Sequence, residues 1–387
     1  MESAMGSFNG PAGQEDMPFL LTPGPLTTSR SVKQTLLADW GSRDVEFRQV
    51  VKNIRTQLLE LAGCDRSYEC VLMQGSGTFA IEAALGSLTP AKRKKTLVVA
   101  NGAYGERAAK ILETIGHKYE LVSLSDTTQV APKHFTKILD DDKLISHVWL
   151  IHCETTSGIV NPLIELANEV KSRGRIFMVD AMSSFGAIDI DMKRDGIDVM
   201  VSSSNKCIEG IPGFSYVLVK KELLLAAQGQ SHSVVLDLFD QWQGLESNGQ
   251  FRFTPPTHAL VAFHQALQEL KDEGGIAARG RRYARNAKIL VEGLKALGIQ
   301  PLLNNNEAGP IIQTFLTPRD PNFQFEKFYE ALRQKGFAIY PGKLTKRDSF
   351  RIGNIGHLNE EVMERVVTAI KEVLHDMNVR DMRPKDI

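Results

Sequence analysis

Ser202-Ser203-Ser204-Asn205-Lys206-Cys207-Ile208-Glu209-Gly210-Ile211-Pro212-Gly213 follows the apolar run Val199-Met200-Val201 and ends in a glycine and proline turn, which sets one lysine just past the end of a strand. Upstream, Ile176-Phe177-Met178-Val179 ends in Asp180, the spacing expected if a second strand delivers a carboxylate to the same sheet edge. Outward from these two runs, short β-branched stretches alternate with helical ones. Val98-Val99-Ala100 precedes a helical Glu106 to Ile115, Val148-Trp149-Leu150-Ile151 precedes a helical Leu163 to Arg173, and Tyr216-Val217-Leu218-Val219 closes the set. Strands nearly continuous in apolar residues and separated by helices predict an α/β fold, a mostly parallel sheet of seven-stranded type covered on both faces. Ligands in such folds collect beyond the carboxyl ends of the strands.

A further strand-like run, Glu69-Cys70-Val71-Leu72-Met73, leads into Gln74-Gly75-Ser76-Gly77-Thr78 and a helical Phe79 to Leu85. Free amides at a helix start, small glycines and hydroxyls make a phosphate cup of Ser76, Gly77 and Thr78, with Ser203 as an added hydroxyl. The turn lacks the lysine of a nucleotide P-loop and the third glycine of a dinucleotide fingerprint, so it suits a single phosphomonoester. A lysine, an aspartate and such a cup at one sheet edge are what pyridoxal 5′-phosphate (PLP) requires: an amine for its aldehyde, an anion for its pyridinium nitrogen and a cradle for its phosphate. An ordinary lysine, with a pKa of ~10.4, offers little free amine at neutral pH, so Lys206 is expected to be desolvated and near positive charge. Taken singly, Lys206 reads as a solvated loop lysine, Asp180 as a turn cap and the glycine-rich turn as a tight connection. Their order in one chain favours the cofactor.

The chain resembles the class V PLP-dependent aminotransferases of fold type I from Leu20 to about Met377. The resemblance is carried by Leu20-Leu21-Thr22-Pro23-Gly24-Pro25-Leu26, Gln74 to Thr78, Asn101-Gly102-Ala103-Tyr104-Gly105, Glu154-Thr155-Thr156-Ser157-Gly158, Val179-Asp180-Ala181-Met182-Ser183-Ser184-Phe185-Gly186, Asn205-Lys206-Cys207, Arg252-Phe253-Thr254, Tyr340-Pro341-Gly342-Lys343 and Phe350-Arg351-Ile352-Gly353-Asn354-Ile355-Gly356. It implies that Lys206 and Asp180 are catalytic, that Tyr104 stacks on the cofactor ring, and that Thr155 and Asn205 contact its phenolate side. It also implies that Thr254 reaches the phosphate of a neighbouring subunit, hence a homodimer with a composite site, and that Arg351 holds the substrate anion. Guanidinium suits that task because its fork gives two parallel charge-assisted bonds. Within the family the similarity is greatest to the branch that exchanges an amino group between 2-aminoethylphosphonate and pyruvate; an alanine- or serine:glyoxylate transaminase is the alternative. A phosphonate can carry two charges, so Arg43 and Arg252 are candidate helpers to Arg351. A cysteine desulfurase would call for a mobile Cys loop, and a non-catalytic PLP-binding regulator for an attached basic helix-turn-helix domain.

With 387 residues the chain supports two domains: a leader over 1–19, a large PLP-binding domain over 20–275 and a small α+β domain over 276–387. A helical Ala259 to Glu273 ends at Gly274-Gly275, near the boundary; the last unit then reads as helical Ala277 to Leu297, strand-like Ile311 to Phe315, helical Phe325 to Lys335, strand-like Phe350 to Ile352 and a helical Glu360 to about Met377. Lysine plus arginine and aspartate plus glutamate are both 46, which speaks against a nucleic-acid or anionic-membrane surface. The four cysteines form no CxxC pair, as in a reduced cytoplasmic protein, and Cys207 reads as a buried structural thiol. No run approaches a membrane span, and Met1 to Asp16 reads as a disordered leader without a signal pattern.

Overall fold

The computed structural model describes residues 17–90, 93–304, 306–342 and 345–384; most of the expected leader and Lys343 lie outside them. Seven strands form the main sheet: β1 (Tyr68–Gln74), β2 (Lys95–Ala100), β3 (Tyr119–Ser123), β4 (Ile145–Ile151), β5 (Ile176–Asp180), β6 (Val199–Ser203) and β7 (Phe214–Lys220). Their order is β1-β7-β6-β5-β4-β2-β3, with β7 antiparallel to both neighbours and the other pairings parallel. Val199 to Ser203 of β6 and all but the first residue of β5 are buried, the signature of a sheet covered on both faces. Trp149, Phe177, Phe185, Phe214, Tyr216 and Phe263 are fully buried around it, each large side chain contributing about 1.5–3 kcal/mol of burial.

The helices that matter to the site are α1 (Val45–Leu61), α2 (Gly77–Leu88), α3 (Ala103–Thr114), α4 (Leu163–Ser172), α5 (Thr257–Glu273) and α6 (Gly275–Ala296). Gly274 and Gly275, at φ 105° and 75°, turn α5 into α6, a conformation natural to glycine. Beyond α6 lies a three-stranded antiparallel sheet of β8 (Ile312–Leu316), β9 (Tyr340–Pro341) and β10 (Ser349–Gly353), in the order β8-β10-β9. It is backed by α7 (Phe325–Gln334) and α8 (Glu360–Asp376).

Apolar side chains gather in two large clusters, one about the seven-stranded sheet and one built from α6, β8, β10, α7 and α8. Leu21 packs in the second cluster, because Phe19–Leu20 pairs in parallel with Phe337–Ala338. No described helix is long and apolar enough to cross a membrane.

Candidate active site

Four strands end at one place. Gln74, Ile151, Asp180 and Ser203 are the last residues of β1, β4, β5 and β6, and Asp180 lies in register between Ile151 and Val201. Past these ends is a cavity of about 400 Å3 lined by Ser76, Gly77, Thr78, Tyr104, Thr155, Asp180, Ser203, Asn205 and Lys206. Every cofactor-binding residue expected from the sequence is therefore brought together here except Thr254. That residue is exposed, and its carbonyl accepts a hydrogen bond from Gln74 Nε2 just outside the cavity.

Lys206 Nζ donates to the Pro23 carbonyl at 2.6 Å. The residue keeps some exposure, yet its amine is desolvated enough to bring its pKa down to about 8; burial is the main cause and Arg351 adds to it, against Cys207, Asp180 and Cys153. The chain crosses close over this side chain at Gly24, whose φ is 111° and where a Cβ would lie 2.7 Å from Lys206 Cδ and 2.6 Å from the Asn205 carbonyl oxygen. Only glycine fits there.

Asp180 is buried and accepts a hydrogen bond from Met182 N at 2.8 Å. Burial pushes its carboxyl up to about 7; Glu154 adds to the rise, while the Met182 bond, Lys206 and Arg107 oppose it. Among the described residues it makes no ion pair. Such an acid is poised to ionise when a cation is placed beside it.

The cup is the start of α2. Ser76 is its N-cap and no side chain caps the helix; the Phe79 amide donates to the Ser76 carbonyl at 2.9 Å, while the Gly77 and Thr78 amides at the very start have no helical acceptor. The Gly75 amide bonds to the Gly213 carbonyl at 3.0 Å and Ser215 Oγ to the Ser76 carbonyl at 3.2 Å, tying the cup to β7. An added Cβ at Gly77 would come within 2.3 Å of the Met182 side chain, which leaves little room beside Asp180.

Tyr104 opens α3, with the Arg107 guanidinium 4.9 Å from its ring centre. Its amide is held by Glu154, a residue given no role by sequence reasoning. The fully buried Glu154 carboxylate also accepts from Gly105 N, Thr156 N and Thr156 Oγ1, at 3.3, 3.0 and 2.6 Å. Its one mark in the sequence is an acid three residues past the apolar run Val148 to Ile151, which signals neither its burial nor its partners. Pro23, Gly24, Met182, Ser183 and Gly213 were likewise quoted in the sequence motifs without a role.

The candidate anion ligands do not line the cavity. Arg351 is buried on the opposite face of β10 from Phe350 and Ile352, which sit in the second apolar cluster. Its Nη1 donates to the Thr155 carbonyl at 2.6 Å, and Nε and Nη2 donate to the Pro341 carbonyl at 3.0 and 2.8 Å. It is thus anchored beside Thr155, and burial lowers its pKa. Arg43 is exposed. Arg252 is turned to Asp240 and the carbonyls of Val234 and Asp237.

The arrangement fits PLP by observation: one desolvated amine, one buried acid with no ion-pair partner among the described residues, a helix N-terminus without a side-chain cap, and a cavity of suitable size between them. All four cysteines are free thiols, and burial pushes Cys207, whose Sγ faces the Ser183 carbonyl, up to about 12.

Residues 36–355 match the family described as "Aminotransferase class-V". The chain is 48% identical over 368 residues to "2-aminoethylphosphonate--pyruvate transaminase 1" of Paraburkholderia xenovorans, covering 95% of this chain and 94% of that one. It is equally similar, 48% with 95% and 96% coverage, to "2-aminoethylphosphonate--pyruvate transaminase" of Rhizobium meliloti. Among solved structures, pyridoxamine-pyruvate aminotransferase from Mesorhizobium loti superposes with a TM-score of 0.86 at 21% identity, covering 96% and 95% of the two chains, a likeness of fold.

Proposed function

Because the chain belongs to the class V aminotransferases, we propose that it moves the amino group of 2-aminoethylphosphonate to pyruvate, giving phosphonoacetaldehyde and L-alanine, as a step of phosphonate breakdown. The observation that carries the substrate is the 48% identity along nearly the whole chain to transaminases of that name. PLP, when bound, supplies an electron sink for the charge left at the substrate carbon as its proton departs.

The chain's own residues do the rest. Lys206 would hold the cofactor and would move a proton at Nζ, a task for which a pKa of about 8 suits it. Asp180 presents the anion to the ring nitrogen. Ser76, Gly77, Thr78 and Ser203 would hold the phosphate, and Tyr104, Thr155 and Asn205 would position the ring. Arg351 binds the phosphonate in one half-reaction and the pyruvate carboxylate in the other. A guanidinium has five N–H donors, and three are engaged with Thr155 and Pro341, so two remain for an anion. Arg43 would have to move in to assist.

The active unit is a homodimer in which Thr254 reaches the partner's phosphate. The apolar side chains of Leu37, Phe79, Val234 and Val235 are exposed and supply a surface for a second copy. The units 20–275 and 276–387, and a cytoplasmic setting consistent with four free thiols, belong to the same reading.

The test is a half-reaction. With 2-aminoethylphosphonate and no keto acid, the visible absorbance of the PLP-loaded protein should disappear as phosphonoacetaldehyde is released, and pyruvate should restore it with one alanine formed per site. Persistence of colour with that donor, but loss with alanine or serine and recovery with glyoxylate, would leave the family standing and replace the substrate.

A further inference from the structure

The loop after Lys206 is fastened by a set of charges that the proposed chemistry leaves unused. Glu209 is 2% exposed, lies outside the cavity lining, and has φ 65°. A residue with a side chain holds that left-handed conformation only where its surroundings over-determine it. Here they do. Glu209 Oε1 accepts from Arg282 Nη2 at 2.8 Å and from the Tyr283 hydroxyl, with Arg279 Nη1 3.4 Å away.

All three partners stand on α6, and the helix also grips the residues between. Arg279 Nη1 donates to the Cys207 carbonyl at 2.7 Å, and the Glu209 amide closes the arc by donating to the Lys206 carbonyl at 2.7 Å. On its other side Arg282 Nη1 donates to the carbonyls of Gly356 and Leu358, at 2.6 and 2.9 Å, and the Tyr283 hydroxyl accepts from the Gly356 amide at 3.1 Å. That segment follows β10, the strand of Arg351. Glu273 accepts from Nε of both arginines, at 2.6 and 2.8 Å, so the buried Arg279 and the half-buried Arg282 face two carboxylates. Such groups contribute little net stability compared with apolar packing and are best accounted for where they fix one conformation.

We propose that Glu209 is a positioning residue for Lys206: clamped by Arg282 and Tyr283, its carboxylate fixes the arc from Lys206 to Glu209 and so aims the amine into the cavity. The proposal rests on Lys206 being the reactive amine. It predicts effects on Lys206 chemistry without effects on substrate binding, since Glu209 touches neither the cavity nor the anion site.

The experiment uses the full-length protein stripped of PLP. PLP is added, samples are reduced with borohydride at intervals, and the fraction of modified Lys206 peptide is read by mass spectrometry for the wild type, Glu209→Gln and Tyr283→Phe. Attachment to Lys206 should slow about tenfold in Glu209→Gln and by a smaller factor in Tyr283→Phe, as for a lost charge-assisted bond. In the loaded proteins kcat should fall in the same order while KM for both substrates stays within about twofold. Wild-type attachment rates and kcat in both variants overturn the proposal, even if melting temperatures drop. Should Glu209→Gln not fold, Tyr283→Phe, which lacks only a hydroxyl, decides alone. Wild-type attachment at a site other than Lys206 overturns the underlying reading of Lys206, and the proposal with it.

Discussion

At the scale of single residues, the two groups that define the site have their ionisation set by burial in opposite senses. Lys206 is lowered to about 8, so it binds fewer protons than in the unfolded chain between pH 8 and its ordinary value, and Asp180, raised to about 7, binds more between its ordinary value and pH 7. Stability rises with pH wherever the unfolded state binds more protons. In the PLP-free protein the Asp180 contribution therefore favours the fold in mild acid and is lost as pH climbs through 7. Melting temperature is expected to fall between pH 5 and 7.5, and Asp180→Asn to flatten that step; an equally steep fall in the variant would discard the assignment. Lys206→Ala should reduce turnover by about 10²–10⁴-fold or more, the range of a lost general acid–base group, in a steady-state assay. Both residues were legible in the sequence because each follows an apolar run at a strand end. Glu154 and Glu209 were not, since what distinguishes them is burial and partners brought from distant segments. Arg351 was legible as a residue on the face of β10 opposite Phe350 and Ile352, but its anchorage on the Thr155 and Pro341 carbonyls depends on a turn and on the two-residue strand β9, neither of which periodicity describes.

At the scale of elements, the buried parallel strands were read closely, and β3 was missed. Tyr119–Ser123 is an edge strand with two of its five residues exposed and none buried, so it lacks the continuous apolar run that betrays a central strand. The helix α1 went unread although its buried Phe47, Val50, Val51, Ile54 and Leu58 recur at helical spacing. The α2 start was readable because glycine, serine and threonine cluster there. Thr78→Val removes one hydroxyl from that helix start and should weaken PLP affinity by about tenfold, the size of a hydrogen bond to a charged group, as measured by equilibrium dialysis. Undiminished affinity would mean that the amides suffice. The short strand Phe19–Leu20 has no helical or long apolar pattern of its own. Leu21→Ala beside it should cost about 2–5 kcal/mol in denaturant unfolding, because the side chain is fully buried in the second apolar cluster.

At the scale of the whole molecule, the site stands at the ends of the large sheet, with α6 holding the loop after Lys206 from outside and Arg351 of β10 anchored beside Thr155, and the exposed apolar residues lie outside it. Sedimentation velocity is expected to give twice the mass of the chain, and a double Phe79→Glu, Val234→Glu variant to give a single chain with reduced PLP affinity; a wild-type monomer with full activity would remove the second subunit from the proposal. Composition and strand pattern were enough to foresee an α/β architecture, whereas the way the first described residues return to the last unit was not, because pairing across most of the chain leaves no local mark. That return has a temporal side. Phe19 pairs with Phe337 and Leu20 with Ala338, and the segment then passes over Lys206 at Gly24, with the Pro23 carbonyl receiving the amine. A ribosome emits the first partner of each pair long before the second, so this seam cannot close on a growing polypeptide. The roof over the lysine is made first and installed last, and until synthesis has passed Ala338 the amine lacks the cover that the finished protein gives it.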